Sequence, residues 1–268
     1  MNHKLAFIGC GNIASAMIRG IVTGKIVEAG KVTASDPSVE KITSMKNELG
    51  INVTTDNLEA VANGEIIFLC VEPNMSSKVI AQIKDSIGEN QIVISVAAGV
   101  SLSDLYGWLN PGTKVVRIMP NLPISVGEGL TMICETDLVT KEELEEIVRL
   151  LSSFGKVEIM NEKYMNAFVA LASSSPAFVY VMIEAMADAA VAMGLSRKRS
   201  YKIVSQAVLG AAKMVVETGK HPGELKDMVC SPAGTTIDAV ASLEESGFRY
   251  SIIKALKVGE EKCSRISK

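Results

Sequence analysis

The chain has 268 residues, of which 48% are hydrophobic and 21% are charged, and its formal net charge is -3. This composition is typical of a folded globular protein and excludes an intrinsically disordered chain. The slightly negative charge gives no reason to expect nucleic acid or an anionic membrane as a partner.

Several further classes of protein are disfavoured by the sequence. The N-terminal apolar run is too short for a signal peptide, and no window approaches the length expected of a membrane span. The 5 cysteines are scattered without a CxxC pair, which is typical of free thiols in a reducing cytoplasm. The only 2 histidines, His3 and His221, make a histidine metal site or a Ser-His triad difficult to build, so no metal is predicted.

The first part of the chain alternates short apolar runs with amphipathic stretches. Helices are predicted at residues 12–23 and 40–49, and further helical or turn segments separate the later strands. The predicted strands are residues 4–9, 31–35, 65–71, 91–97, 114–120, 130–134 and 156–160. Strands that alternate with helices indicate a parallel sheet, so residues 1–160 are predicted to form an α/β Rossmann-type domain.

After Met160 the strand signal stops and long helical stretches follow. Helices are predicted at residues 161–171, 177–193 and 197–218, with more after Pro222. The stretch FVYVMIEAMADAAVAMG is apolar around much of its circumference, so it must be buried on more than one side. Residues 161–268 are therefore predicted to form an all-α domain that buries these faces in an obligate dimer.

A glycine-rich turn follows the first predicted strand. Gly9, Gly11 and Ala14 have the spacing GxGxxA directly before the helix at residues 12–23. The first glycine permits a tight bend, the second lets the backbone approach a pyrophosphate, and the alanine lets helix and strand pack closely. The amides of Asn12 and Ile13 then point at the phosphates. The alternative is a glycine-rich turn that binds no ligand.

Asp36 follows the second predicted strand. An acidic residue at this place in a Rossmann domain binds the hydroxyls of the adenine ribose and repels the 2′-phosphate of NADP. The alternative is that Asp36 only starts the turn before Pro37. Ser38 and Lys41 are also within reach of a 2′-phosphate, so both NADH and NADPH stay open as cofactors.

A second cluster of turn and hydroxyl residues occurs late in the chain, in CSPAGTTIDAV. Thr235 with Asp238 fits a capping pattern at the start of a helix, and Gly234 lets the backbone turn its amides outward. Such a helix N-terminus can bind an anion, with added hydrogen bonds from Ser231 and Thr236. The alternative is a capped turn between two helices with nothing bound.

Several stretches together resemble the pyrroline-5-carboxylate reductase family over essentially the whole chain. They are SVAAGVS, RIMPNLPISVGEG, HPGELKDMVCSPAGTTIDAV and LEESGFR. The resemblance implies a Rossmann domain followed by a helical substrate and dimerisation domain, and a cytoplasmic homodimer that in several members assembles into a decamer. It implies hydride transfer from NADPH or NADH to pyrroline-5-carboxylate, which gives L-proline in the last step of proline biosynthesis.

The resemblance also implies site residues. Thr236 is expected to hydrogen-bond the imine nitrogen and Glu162 to orient the ring, and these two are the predicted catalytic residues. The alternative for Glu162 is a solvated charge in the first turn of a helix. The predicted substrate-binding residues are Ser231, Gly234, Thr235, Thr236 and Glu162. The predicted cofactor-binding residues are Ile8, Gly9, Gly11, Asn12, Ile13, Asp36, Asn57, Val71, Glu72 and Ala98.

The sequence departs from the family pattern at three places. Glu72 stands where a lysine is usual, Leu122 stands where threonine is common, and SSSPAF at residues 173–178 replaces two glycines and a tyrosine. Two other functions stay open. One is a related imine reductase or β-hydroxyacid dehydrogenase. The hydroxyacid enzymes need a helix lysine as acid and base, and Lys163, three residues before Asn166, lies near that place. A non-catalytic dinucleotide-binding regulatory protein would account for the departures.

Overall fold

The computed structural model describes residues 3–134 and 136–266, and it divides into two compact units. The first comprises Met1–Ser173 with Glu260–Lys268, and the second comprises Ser174–Gly259. The first unit is α/β and the second is helical, so the predicted fold class is confirmed. The domain boundary after residue 160 stays a prediction, and the predicted outer limits at residues 1 and 268 lie outside the described residues.

The first unit is built on one eight-stranded sheet with the order β3-β2-β1-β4-β5-β6-β7-β8. The first six strands run parallel, as predicted. The strands are β1 (Leu5–Ile8), β2 (Val32–Ser35), β3 (Asn52–Thr54), β4 (Ile66–Leu69), β5 (Ile92–Ser95), β6 (Lys114–Pro120), β7 (Gly129–Cys134) and β8 (Gly155–Met160). The sheet is therefore of the Rossmann type, with two added strands at one edge.

The expectation of a parallel sheet is wrong for the last two strands. β7 pairs antiparallel with β6, and β8 pairs parallel with β7. Only a short 3₁₀ turn, Leu122–Val126, joins β6 to β7. Such a link is too short for the crossover that two parallel neighbours need, so the chain turns back on itself.

Helices cover both faces of the sheet, and the central strands β1, β2, β4 and β5 are buried along their whole length. Burial on both faces explains why these strands are apolar or small at nearly every position. On one face pack α1 (Asn12–Thr23), α2 (Val39–Leu49) and α6 (Lys141–Leu151). On the other pack α3 (Asn57–Ala62), α4 (Pro73–Ile83), α5 (Leu102–Trp108) and the short α7 (Met165–Phe168).

The single helix predicted at residues 161–171 is an irregular run in the structure. A 3₁₀ turn, Glu162–Tyr164, leads into α7, and a π-helical segment, Val169–Ser174, follows it. Pro176 then lies in the first turn of the next helix. Proline cannot donate an amide and its ring clashes with the carbonyl four residues earlier, so the regular bonding pattern is interrupted here.

The second unit is formed by long helices with little burial inside the chain. They are α8 (Ser175–Ala192), α9 (Arg197–Thr218), α10 (Pro222–Val229), α11 (Thr235–Glu245) and α12 (Phe248–Ile266), whose last turns belong to the first unit. Among the residues of Ser174–Gly259, only Ala187, Ser200 and Val204 are buried. The apolar surface predicted from the sequence is thus exposed on the single chain.

The sequence predicts no stretch long enough to span a membrane, but one helical run in the described part of the chain has that length. By length and composition alone, Glu162–Ala192 is long and apolar enough to cross a bilayer. A single such run is weak support for a span, because core helices of water-soluble proteins have the same properties.

Candidate active site

Gly9 closes the turn after β1, and the fold itself requires it to be glycine. Its φ is +95°, and a Cβ at this position would lie 2.6 Å from the carbonyl oxygen of Cys70. Its amide donates to the Ser35 carbonyl at 2.8 Å. The bend of the chain away from the sheet is therefore fixed by packing between neighbouring strand ends.

Gly11 is different, because no other described residue fills the space where its side chain would be. It is the N-cap of α1, and a Cβ built on it meets no atom within 4 Å. No side chain caps this helix and no acidic residue lies in its first turn. The amides of Asn12 and Ile13 therefore begin a 12-residue helix at an open end, which suits the pyrophosphate predicted here.

Asp36 joins the end of β2 to the glycine-rich turn. Its side chain is buried, with Oδ2 accepting from the Cys10 amide at 2.8 Å and Oδ1 accepting from the Ser38 amide at 2.9 Å. The bond from the Ser38 amide agrees with the alternative interpretation, in which Asp36 starts the turn before Pro37. A carboxylate has about four acceptor positions, so two remain for ribose hydroxyls.

The Cys10 thiol, between the two glycines, is chemically quiet. Burial, followed by the nearby charge of Asp36, raises the pKa of Cys10 to about 12. Burial likewise raises the pKa of the neighbouring Cys70. Both thiols stay protonated at neutral pH, so neither serves as a nucleophile in this turn.

The other predicted cofactor residues lie at the same edge of the sheet. Asn57 begins α3, where its Oδ1 accepts from Ser35 Oγ at 2.8 Å. Val71 and Glu72 follow β4, and Ala98 follows β5. Parallel neighbouring strands end at one edge, and the strand order reverses between β1 and β4. This is the place where Rossmann sheets bind a dinucleotide.

A cleft of about 240 Å³ lies beside this edge, within the first unit. A smaller cleft shares part of its lining and adds Ala98, Val169 and Cys263. Glu162 lies in the first cleft, and its Oε1 accepts from Arg117 Nη1 at 2.6 Å and from the Leu102 amide at 2.8 Å. The larger cleft is lined by Gly99, Ser101, Arg117, Glu162, Lys163, Met165 and Asn166.

Arg117 is a residue of this cleft to which the sequence analysis gave no role. It lies in β6, in the otherwise apolar stretch around KVVRIMP, and is 4% exposed. A buried arginine requires a partner, so a lone charge in a predicted central strand is the signal that could have found it. Its pairing with Glu162 also means that Glu162 is not a freely solvated charge.

The predicted substrate residues on the second unit form one turn between α10 and α11. Gly234 is the N-cap of α11, and its amide donates to the Ser231 carbonyl at 3.0 Å. The predicted capping pattern of Thr235 with Asp238 is wrong, because Thr235 is already the first helical residue and no side chain caps the helix. The first amides of this 11-residue helix are thereby left open to an anion.

The structure therefore brings the predicted residues together in two groups. The cofactor residues and Glu162 lie in the first unit, at one edge of the sheet and in the adjoining cleft. Ser231, Gly234, Thr235 and Thr236 lie in one turn of the second unit. Within the described part of the chain, no group of three or more His, Cys, Asp or Glu side chains is arranged to hold a metal ion.

Comparison with known families gives two matches that follow one another along the chain. Residues 4–99 match the family of NADP oxidoreductases described as coenzyme F420-dependent. Residues 162–266 match the pyrroline-5-carboxylate reductase dimerisation domain. The helical part of the chain is therefore a dimerisation domain. This match rests on sequence and does not depend on how the helices pack.

Two relatives that match over their full length are pyrroline-5-carboxylate reductases. The chain is 42% identical over 268 residues to pyrroline-5-carboxylate reductase of Escherichia coli (strain K12), covering 100% of each sequence. It is 42% identical to the enzyme of the same name from Methanosarcina acetivorans, covering 100% of this chain and 99% of the relative.

Solved structures agree with these relatives. Pyrroline carboxylate reductase of Plasmodium falciparum with NADP bound aligns with a TM-score of 0.90 at 30% identity, covering 100% of this chain and 99% of the other. The reductase from Coxiella burnetii aligns with a TM-score of 0.92 at 30% identity and covers 100% of both chains. The chain therefore belongs to the pyrroline-5-carboxylate reductase family.

Proposed function

We propose that the protein reduces 1-pyrroline-5-carboxylate to L-proline with NADPH or NADH. The observation that carries the proposal is the presence, in one chain of this family, of two helices that have glycine as the N-cap residue and no side-chain cap. One follows the Gly9–Gly11 turn and the other follows Gly234. The first suits a pyrophosphate and the second suits the carboxylate of a small substrate.

The first unit would hold the dinucleotide. The amides of Asn12 and Ile13 would bind the pyrophosphate, while Asp36 and Asn57 would face the adenine ribose. When bound, the nicotinamide supplies the hydride. Further contacts would come from residues at the strand ends, namely Ile8, Gly9, Gly11, Val71, Glu72 and Ala98.

The turn of the second unit would hold the substrate. The open amides at Thr235 and Thr236 would bind its carboxylate, with Ser231 beside them and Gly234 leaving room for the approach. The Thr236 hydroxyl would hydrogen-bond the imine nitrogen. A protonated cyclic imine is already electrophilic, so the reaction depends on orientation more than on an acid or a base, and no histidine or lysine catalyst is needed.

The working assembly would be a homodimer, with a decamer as the larger form, in the cytoplasm. Support comes from the apolar helices of the second unit, whose exposed side chains include Val181, Met193 and Val216. The net charge of -3 does not favour binding of nucleic acid or of an anionic membrane, because both are negatively charged.

A second candidate rests on Lys163. This lysine lines the larger cleft together with Asn166, as the acid and base of a β-hydroxyacid dehydrogenase would. Its ammonium nitrogen lies 4.9 Å from the centre of the Tyr164 ring, which is equally consistent with a cation–π contact and no catalytic role. A third candidate, a non-catalytic dinucleotide-binding regulator, rests on the exposed Glu72 beside the cofactor edge.

Steady-state turnover separates the three. The purified protein is assayed with pyrroline-5-carboxylate and NADH or NADPH, and separately with a 3-hydroxy acid and NAD⁺ or NADP⁺. We expect reduction of the imine and no oxidation of the hydroxy acid. Hydroxy-acid oxidation lost in Lys163→Ala would favour the dehydrogenase, and tight cofactor binding with neither reaction would favour the regulator.

Thr236→Ala tests the substrate turn. The variant loses a hydroxyl but keeps the helix amides, so carboxylate binding survives in part while turnover falls. A hydrogen bond to a charged group contributes roughly 1.5–3 kcal/mol, which corresponds to about a tenfold to hundredfold loss in kcat/KM. Ser242→Ala, later in α11, is the matched control. A folded Thr236→Ala protein with unchanged kcat/KM would remove Thr236 from the site.

A further inference from the structure

Arg117 is a buried cation whose ion-pair partner is Glu162. Its side chain is 5% exposed, and Nη1 donates to Glu162 Oε1 at 2.6 Å. Its Nε is buried without a hydrogen-bond partner among the described atoms. A buried guanidinium that already lacks one bond depends strongly on the bonds it keeps, so Arg117 holds the Glu162 carboxylate in one place.

Glu162 passes this constraint to another segment. The same Oε1 accepts from the Leu102 amide at 2.8 Å. Leu102 is the first residue of α5, and its amide has no partner within the helix. A reciprocal capping box between Ser101 and Asp104 secures the adjacent amides. One carboxylate oxygen therefore joins β6, the segment after β8 and the beginning of α5.

The segment secured in this way is residues 96–101, which link β5 to α5. At its other end the Val96 amide donates to the Leu69 carbonyl at 3.2 Å. Ala98 and Gly99 lie between these two attachments. Ala98 is exposed and lines the smaller cleft, and Gly99 lines both clefts. The buried side chains of Ala97 and Val100 anchor this segment in the core, and the bond between Glu162 and Leu102 fixes its C-terminal end.

This backbone lies on the side of the sheet that would receive the nicotinamide. Asp36, at the end of β2, is predicted to face the adenine ribose. A dinucleotide crosses the point where the strand order reverses, which here lies between β1 and β4. The nicotinamide half then falls on the side of β4 and β5, where Ala98 lies.

We propose that Arg117 and Glu162 are a pair of positioning residues that fix the 96–101 segment against the nicotinamide half of the cofactor. The proposal rests on the function proposed above and deepens it. Glu162 acts through its hydrogen bond to Leu102 and transfers no proton. This assigns Glu162 a role different from the contact with the substrate ring that the family resemblance implies.

Cofactor binding without turnover tests the pair. Dissociation constants of NADH and of ADP-ribose, which lacks the nicotinamide, are measured for Arg117→Met, Glu162→Ala and Glu162→Gln. We expect Arg117→Met and Glu162→Ala to weaken NADH binding about tenfold, as loss of one charge-assisted hydrogen bond allows, and to leave ADP-ribose within about twofold. The double variant Arg117→Met/Glu162→Ala should bind NADH about as well as either single variant, because the two residues act as one unit.

Glu162→Gln separates positioning from proton transfer. The glutamine amide keeps an oxygen that accepts from Leu102 and Arg117 but cannot act as an acid or a base. We expect it to bind NADH within about threefold of the unmodified protein, with an unchanged pH profile of kcat/KM. Glu158→Ala removes an exposed carboxylate from β8 and is the matched control.

Three outcomes would overturn the proposal. One is a folded Arg117→Met protein with unchanged NADH affinity or, should that variant not fold, a Glu162→Ala protein with unchanged NADH affinity. The second is an equal loss of NADH and ADP-ribose affinity. The third is a Glu162→Gln protein as impaired as Glu162→Ala, with one ionisation missing from its pH profile. Because the affinities are read without the imine, failure to reduce pyrroline-5-carboxylate would refute the proposed function and leave the positioning test readable.

Discussion

The two compact units of this chain differ most in how they bury apolar side chains. The first has a continuous core on each face of its sheet, including Phe7 and Phe68 stacked with their ring centres 4.4 Å apart. The second buries Ala187, Ser200 and Val204 within the single chain. It exposes many large apolar side chains, among them Met193 at 79% and Val216 at 77%.

This difference shows which unit depends on a second copy. Ordering a residue costs roughly 1–2 kcal/mol of backbone entropy, and apolar burial offsets this at about 25 cal/mol per Å². The first unit meets the requirement with its own side chains. The second can do so only by burying its helices against another chain, in agreement with its match to a dimerisation domain.

The largest expected effect comes from a charge on an apolar helix of the second unit. Val181 in α8 is 65% exposed, and Val126 in the first unit is 74% exposed. Val181→Asp removes roughly 1.5–3 kcal/mol of apolar burial from each copy, so the dimer should dissociate at least about a hundredfold more readily. Sedimentation velocity over a dilution series measures this.

Val126→Asp is the control for this change, since it places the same charge on a similarly exposed valine of the other unit. We expect its sedimentation to match that of the unmodified protein. If both variants remained assembled, the exposed face of α8 would not be the interface.

Within the first unit, Gly9 and Gly11 should respond differently to alanine. Gly9→Ala meets the Cys70 carbonyl and a left-handed backbone, so it should destabilise the fold by about 2 kcal/mol or more. The Cβ of Gly11→Ala meets no atom of another described residue within 4 Å. The variant should leave the melting temperature unchanged and weaken NADH and NADPH binding about tenfold or more, because its methyl group enters the space of the pyrophosphate. Equal cofactor affinity in a folded Gly11→Ala protein would contradict this site.

Asp36→Ser is expected to change the choice of cofactor. The carboxylate repels a 2′-phosphate, and a contact of this kind costs on the order of a few kcal/mol at 4 Å when the effective dielectric is about 20. We expect the unmodified protein to use NADH at least as well as NADPH, and the variant to shift the ratio of kcat/KM about tenfold toward NADPH. Asp56→Ser, at the N-cap of α3, is the control. A strong NADPH preference that Asp36→Ser leaves intact would show that Asp36 faces away from the ribose.

The smallest expected effect concerns Ala233 in the substrate turn. Its φ is +54°, a left-handed conformation that costs a residue with a Cβ roughly 1–2 kcal/mol. Ala233→Gly removes this cost. The added glycine also stabilises the unfolded chain by about 0.5–1 kcal/mol through its greater conformational entropy, so the net effect should be a stabilisation of the fold by about 0.5–1 kcal/mol. Ala241→Gly, inside α11, should instead destabilise by about 0.5–1 kcal/mol. Melting temperatures at one fixed protein concentration test both variants. A lower melting temperature for Ala233→Gly would show that the backbone at Ala233 is not strained.

Features with a strong local signal could be predicted from the sequence. The helices Asn12–Thr23 and Arg197–Thr218 have the predicted bounds, because Gly11 and Gly24 flank the first and Ser196 and Gly219 flank the second. The edge strand Asn52–Thr54 was missed, since three partly exposed residues carry almost no periodic signal. The reversal of β7 was missed because its direction depends on the short turn before it.

The candidate site shows the same limit. The residues of the Gly9–Gly11 turn lie where their spacing predicts, because the motif is local. Two hydrogen bonds join residues that are far apart in sequence, one between Arg117 and Glu162 and one between Glu162 and Leu102. Composition and spacing therefore do not predict these pairings. The N-cap of α11 was assigned to Thr235, since Gly234 has no side chain to mark its capping position.

Sedimentation of the unmodified protein, with activity measured on the same dilutions, tests the central contrast most directly. We expect a dimer or larger assembly at every protein concentration at which pyrroline-5-carboxylate is reduced, with activity per chain falling as the assembly dissociates. A folded monomer that retains full activity would contradict this expectation, because the second unit would then be stable and functional without a second copy.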